Sequence, residues 1–211
     1  MIFGTTFSGA CKKQNEQFIT SKIVWVVLPL GITSTFLVTK REGKSIQGLE
    51  ITTQYKHLLY MWGLLLGLSS LIGGVSMTII SFDYEFNVFL FFVGIFFTLL
   101  GAFSFYWYGV LPRKTTPQEK FIREQFFKTT GYYVMPEWVY ADTFNSFYQA
   151  MREHYITYTN SEDWQEMLKR LNPDEDGFAI TFCLTYMDNI ARNKKMANKV
   201  LLENYQEYCG K

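Results

Sequence analysis

The sequence is poor in the side chains that carry most chemistry, with three cysteines and two histidines among 211 residues. Cys11, Cys183 and Cys209 are widely spaced and form no CxxC pair. They have no metal-ligand spacing to His57 or His154. These absences exclude a structural zinc motif and a dithiol redox motif. Gly-rich phosphate loops, HExxH and nucleophile-elbow motifs are missing as well. A net charge of +1, with no basic stripe interleaved with aromatics, excludes nucleic acid as a partner. The residues before Ile23 contain no arginine, which makes a poor transit peptide. Ser8-Gly9-Ala10-Cys11 echoes a lipoprotein cleavage site but lacks the basic start and apolar run that go with one, so no cleaved leader is expected.

Charge is missing in a second, more informative way. From His57 to Ser81, and again from Phe86 to Pro112, the chain has no Asp, Glu, Lys or Arg. Each run meets the roughly 20 apolar residues that a helix needs to cross about 30 Å of hydrocarbon. Backbone groups in lipid must pair internally, so both runs are predicted to be helices. The short acidic link Phe82-Asp83-Tyr84-Glu85 makes them an antiparallel hairpin. Lys40, Arg41, Lys44 and Lys56 precede the hairpin, and Arg113, Lys114, Lys120 and Arg123 follow it. The positive-inside rule places these flanks in the cytoplasm or the mitochondrial matrix, with the acidic link outside. Tyr55, Tyr60 and Trp62, where the hairpin enters at the basic side, and Tyr106, Trp107 and Tyr108, where it returns to that side, suit the interfacial aromatic belt.

The run Ile23–Val38 is short for a span, and its β-branched content also suits a strand pair turning at Glu42-Gly43-Lys44. Between the two, a third span is favoured. Gly63, Gly67, Ser70 and Gly74 recur at helical spacing and share one face, with Gly63 and Gly67 forming a GxxxG. Gly94 and Gly101 form a matching face on the second helix. These six positions are the predicted helix-packing site, engaged within the hairpin or with another subunit. With no charge at membrane depth, a transporter or proton pump built from this chain alone is disfavoured.

After Pro112 the pattern predicts a small helical domain. Thr116-Pro117-Gln118-Glu119 is a capping-box start for a helix ending near Gly131. Pro136 is expected to open a second helix, and Ser161 to cap a third that Asn172-Pro173 stops. A fourth, over 177–192, is apolar on most sides and is expected to be central; a fifth carries Met196, Val200 and Leu201. His154 beside Arg152 and Glu153 reads as a solvated face. The acidic run 172–177 lacks the later bidentate Glu of a calcium loop. Arg192, Lys194, Lys195 and Lys199 form a basic cluster suited to headgroups or solvent.

The expected fold class is therefore an all-α integral membrane protein: a transmembrane helical hairpin, with a third N-terminal span favoured, plus a small helical C-terminal domain. Its segments are a polar stretch 1–21, a marginal apolar segment and basic loop 22–56, the hairpin 57–112 and the helical domain 113–211. No catalytic residue, cofactor or metal is expected, and the chain is not read as an enzyme. Its expected partners are the lipid bilayer and other membrane subunits. The expected function is a non-catalytic accessory subunit of a membrane complex, with a mitochondrial respiratory complex as the specific case and the bacterial plasma membrane as the other location. A self-assembling membrane effector or pore is the alternative, and a membrane-anchored enzyme ranks last.

Overall fold

The computed structural model describes residues 3–7, 11–26, 28–42, 45–82, 87–110, 115–205 and 208. Among them lie five strands: β1 (Phe3–Phe7), β2 (Cys11–Gln14), β3 (Gln17–Val26), β4 (Leu28–Glu42) and β5 (Ser45–Ile51). The helices are α1 (Lys56–Ile80), α2 (Val88–Phe105), α3 (Pro117–Thr130), α4 (Ala141–Thr159), α5 (Trp164–Leu168), α6 (Phe178–Ala191) and α7 (Lys195–Glu203). The expected all-α class is thus corrected: the fold is mixed α/β, and a sheet with the order β1-β3-β4-β5 stands at its N-terminus, with β2 also paired to β3.

The favoured third span, Ile23–Val38, falls within this sheet. The chain reverses between β3 and β4, so that Thr33 Oγ1 donates to the Lys22 carbonyl at 3.2 Å. Ser21 and Thr35 meet across the same pair at 2.9 Å. On the other side of β3, β1 runs antiparallel with Phe3 opposite Val26 and Phe7 opposite Lys22. Two long strands rich in Ile, Val and Thr, of 10 and 15 residues, satisfy each other's backbone laterally. The proposed turn residues Gly43 and Lys44, the acidic residues Asp83 and Glu85, and Arg113 and Lys114 lie outside the described residues.

The chain divides into two compact units, and β3 and β4 each contribute to both. The first (Met1–Lys13, Ile19–Thr35 and Thr53–Lys114) contains the hairpin. Its two helices, Lys56–Ile80 of 25 residues and Val88–Tyr108 of 21, are long and apolar enough to cross a membrane. Asn87 caps α2 by accepting the Leu90 N–H at 3.0 Å. Beyond Phe105 the helix loosens into a π-turn, Tyr106–Val110. Outward positions stay apolar: Phe89 is 78 % exposed and Leu99 65 %.

The second unit (Gln14–Phe18, Phe36–Thr52 and Thr115–Lys211) is organised around α6. Every residue from Thr181 to Asp188 is buried, and α3, α4, α5 and α7 all pack on this helix. Phe121 on α3 meets Phe182 edge-on with ring centroids 5.5 Å apart, and Tyr205 meets Phe178 edge-on at 5.1 Å. Thr116 caps α3 by accepting the Glu119 N–H at 3.2 Å, and Gly131 ends it in the left-handed conformation (φ 79°) that suits glycine. Pro136 opens a single 3-10 turn instead of a helix, and α4 starts at Ala141. The acidic run after Asn172 folds into a turn, with Asn172 donating to Glu175 at 2.7 Å and Gly177 at the N-cap of α6.

Candidate functional site

The six predicted packing residues all lie on the α1–α2 hairpin. Gly63, Gly67 and Gly74 of α1 are buried, as are Gly94 and Gly101 of α2. The seam is built from backbone meeting backbone. A Cβ on Gly101 would lie 2.6 Å from the Leu71 nitrogen and 2.7 Å from the Gly67 oxygen. One on Gly74 would lie 2.5 Å from the Thr98 nitrogen and 2.7 Å from the Gly94 oxygen. Neither position has room for a methyl group. Gly63 faces the ring of Tyr108, and Gly67 lies against Ser104. Ser70 crosses the seam and donates to the Phe97 carbonyl at 2.9 Å.

Two threonines were not singled out from the sequence, although the spacing shows them. Gly74-x-x-x-Thr78 on α1 lies against Gly94-x-x-x-Thr98 on α2, each glycine facing the other helix's threonine. Thr78 donates to the Gly74 carbonyl at 2.9 Å and Thr98 to the Gly94 carbonyl at 2.8 Å. The hydroxyls are thereby satisfied inside their own helices, and each Oγ1, with its backbone nitrogen, lies close over the opposing glycine.

Gly73 was also overlooked. A Cβ there would meet nothing within 4 Å, although the neighbouring Gly74 is sealed. Gly73 lies in a groove of about 780 Å³ beside the hairpin, with Leu66, Ser69, Met77, Phe97 and Leu100 among its walls. Leu66, Ser69, Gly73 and Met77 share a helical stripe that the sequence displays as plainly as the GxxxG.

The two histidines occupy opposite environments. His57 is buried at the start of α1, where its Nδ1 meets Ser21 Oγ at 2.6 Å. Ser21 in turn meets Thr35 Oγ1, which accepts the Gln54 N–H at 3.2 Å. A serine beside a histidine invites a nucleophile–base reading. However, Ser21 and Thr35 have no solvent-exposed surface, so no substrate atom can reach them. The cluster fastens the first turn of α1 to β3 and β4. His154 is exposed on α4, at the wall of a cavity of about 600 Å³ in the second unit. Its neighbour Arg152 is paired to Glu162 at 2.7 Å.

Asp188 on α6 is a buried carboxylate of the helical unit, 5 % exposed. Tyr148 of α4 donates to its Oδ1 at 2.7 Å, and Trp164 of α5 donates to its Oδ2 at 3.0 Å. Burial, then the hydrogen bond to Asp188 and its negative charge, push the Tyr148 hydroxyl up to about 12. An unfolded tyrosine titrates near about 10. Between those values the folded protein keeps a proton that the unfolded chain has lost. This contribution to stability is therefore complete below pH of about 10 and is lost as the pH rises towards 12. Tyr148→Phe is expected to flatten the fall in melting temperature over that window, relative to wild type. Parallel curves for the two proteins would disprove the assignment.

Cys183 is fully enclosed, and burial pushes its thiol up to about 12, so it is a packing residue without nucleophilic character. Among the described residues, no group of three or more His, Cys, Asp or Glu is placed to hold a metal ion. A scan of family models and searches of curated proteins and of solved structures each found no match.

Proposed function

We propose that the chain is a non-catalytic subunit of a membrane assembly, inserted through the α1–α2 hairpin and seated along the Gly73 groove against a transmembrane helix of another polypeptide. The observation that carries this reading is the contrast between two adjacent glycines. Both border the groove, but Gly74 is closed against Thr98 and Gly94 of α2, whereas a side chain at Gly73 would meet nothing within 4 Å. In lipid, a helix gains little by packing large apolar side chains on acyl tails. Close approach at small residues is what drives one helix onto another. Ser69, on the same stripe, donates to the Leu66 carbonyl at 3.1 Å and so leaves no unsatisfied hydroxyl towards an incoming helix.

The orientation follows from charge. Lys40 and Lys56 ahead of the hairpin, and Lys120 after it, favour the cytoplasmic or matrix side for both flanks. The helical unit would then lie on that side. An inner mitochondrial membrane and a bacterial plasma membrane satisfy this equally.

The test is the composition of the protein extracted from its native membrane in mild detergent. Wild type is expected to bring other polypeptides in fixed ratio, and Gly73→Ile is expected to lose them while keeping its own melting temperature. Recovery of wild type as a lone monomer, or unchanged stoichiometry in Gly73→Ile, would overturn the reading. A ring of identical copies would replace it with a self-assembling pore.

A further inference from the structure

The helical unit contains a cavity whose walls come from four helices. It lies among the last turn of α3, α4 from Phe147 onward, Met167 and Leu171 in and after α5, and the first turn of α6. Its volume of about 600 Å³ is that of a small-molecule site, for which about 300–1,000 Å³ is usual. Phe147, Met151, Tyr155, Met167, Leu171 and Ile180 make its apolar walls. Met151 and Met167 suit an occupant of irregular or flexible shape, because an unbranched thioether adapts to what it packs against.

Four threonines also line the space, and their hydroxyls are engaged elsewhere. Thr129 and Thr130 donate to the Phe126 carbonyl at 2.9 and 2.7 Å, and Thr159 to the Tyr155 carbonyl at 2.8 Å. Thr181 donates to the Gly177 carbonyl at 3.0 Å. These residues therefore add hydrocarbon to the walls, and the interior is apolar. Charge is confined to exposed lining positions, namely Lys128, His154 and Asp176.

The mouth carries one cation, Lys128, one carboxylate, Asp176, and the imidazole of His154. The negative ends of α3 and α4 are already capped. Beyond the threonine bonds, Gly131 N–H donates to the Phe127 carbonyl and Asn160 N–H to the Ile156 carbonyl, both at 2.8 Å. The positive end of α6 has no side-chain cap. Asp176 lies next to that end, where its charge complements the helix dipole. Lys128 and His154 remain to face a ligand.

We propose that this cavity binds a small amphiphilic acid. Its apolar body lies among Phe147, Met151 and Met167, and its anionic head sits at the mouth against Lys128 and His154. Such an acid can come from membrane lipid as a free acyl chain or from water as a compact aryl acid. The assignment is independent of the Gly73 groove, because every residue in it belongs to the other unit.

The experiment uses the full chain in lipid nanodiscs with dodecanoate carrying a photoreactive diazirine at its chain end. Labelling is expected on peptides holding Met151 and Met167. Unlabelled dodecanoate is expected to compete at least ~10-fold better than dodecylamine, the value of one charge-assisted contact. Ala150→Trp with Ala179→Trp fills the cavity and is expected to abolish labelling there at an unchanged melting temperature. Should that pair fail to fold, Lys128→Glu is expected to reduce labelling at least ~10-fold by the same arithmetic. Competition by dodecanoate and not by 4-phenylbutyrate assigns the ligand to membrane lipid, and equal competition assigns it to the soluble acids. Labelling confined to the hairpin, or equal competition by dodecylamine, would overturn the proposal.

Discussion

Gly101→Leu is expected to force the two hydrophobic helices apart, and Gly74→Leu to do the same, while Gly73→Leu leaves them together. The difference lies in what a new side chain meets. At Gly101 the nearest atoms are the Leu71 nitrogen and the Gly67 oxygen, and at Gly74 the Thr98 nitrogen and the Gly94 oxygen. Backbone atoms cannot rotate out of the way as a flexible side chain can. The helices must separate, and the Ser70 bond to the Phe97 carbonyl is lost with them. Overpacking of this kind costs about 1–3 kcal/mol per site. In a chain of this size that corresponds to roughly 2–4 °C of melting temperature per kcal/mol. Leucine is the better helix former by about 1 kcal/mol, so any net loss understates the damage to the seam. Gly73→Leu, with nothing within 4 Å, is expected to keep that gain and to exceed wild type by up to about 1 kcal/mol. Melting the three variants in one detergent checks the set. Equal stability of Gly101→Leu and Gly73→Leu would show that the seam does not hold the hairpin.

What the sequence displays of this fold depends on how far apart the interacting residues are. The hairpin helices are legible because their signals are local: uncharged runs and small residues at helical spacing. The caps at Thr116 and Gly131, and the bounds of α6 at Gly177 and Arg192, are legible for the same reason. The sheet is not. In β3 the inward positions Ile19, Ser21 and Ile23 include a serine, which breaks the hydrophobic alternation that marks a half-buried strand. Ser21 is tolerated there because Thr35 and His57 bond its hydroxyl, and these partners lie 14 and 36 residues away. Without them in view, Ile23–Val38 reads as a single apolar run and a third span is favoured. The cavity is hidden in the same way. Lys128 and His154 come from two different helices and Asp176 from the turn before α6, and each alone reads as a solvated residue.

Asp188→Ala is expected to be the most damaging single change in the helical unit. The sequence shows Asp188 only as the one charged residue of α6, yet it is 5 % exposed and accepts from two other helices. Tyr148 and Trp164 reach it from 40 and 24 residues away, so one carboxylate ties α4 and α5 to α6. Removing it leaves the buried Trp164 indole N–H and the half-buried Tyr148 hydroxyl without their acceptor. Each such donor costs about 1–3 kcal/mol, and the lost carboxyl volume adds a small cavity. A total of roughly 3–5 kcal/mol follows, or a fall in melting temperature on the order of 6–20 °C. Asp188→Asn retains an acceptor for one of the two donors and is expected to lose about half as much. The ordering of the three proteins therefore carries more information than any single value. Wild type above Asn above Ala is the expected result, read by thermal melting and by hydrogen exchange across α6. If Asp188→Ala melts within about 2 °C of wild type, a loss of less than about 1 kcal/mol, Tyr148 and Trp164 find other acceptors and α6 is held by its aromatic packing alone.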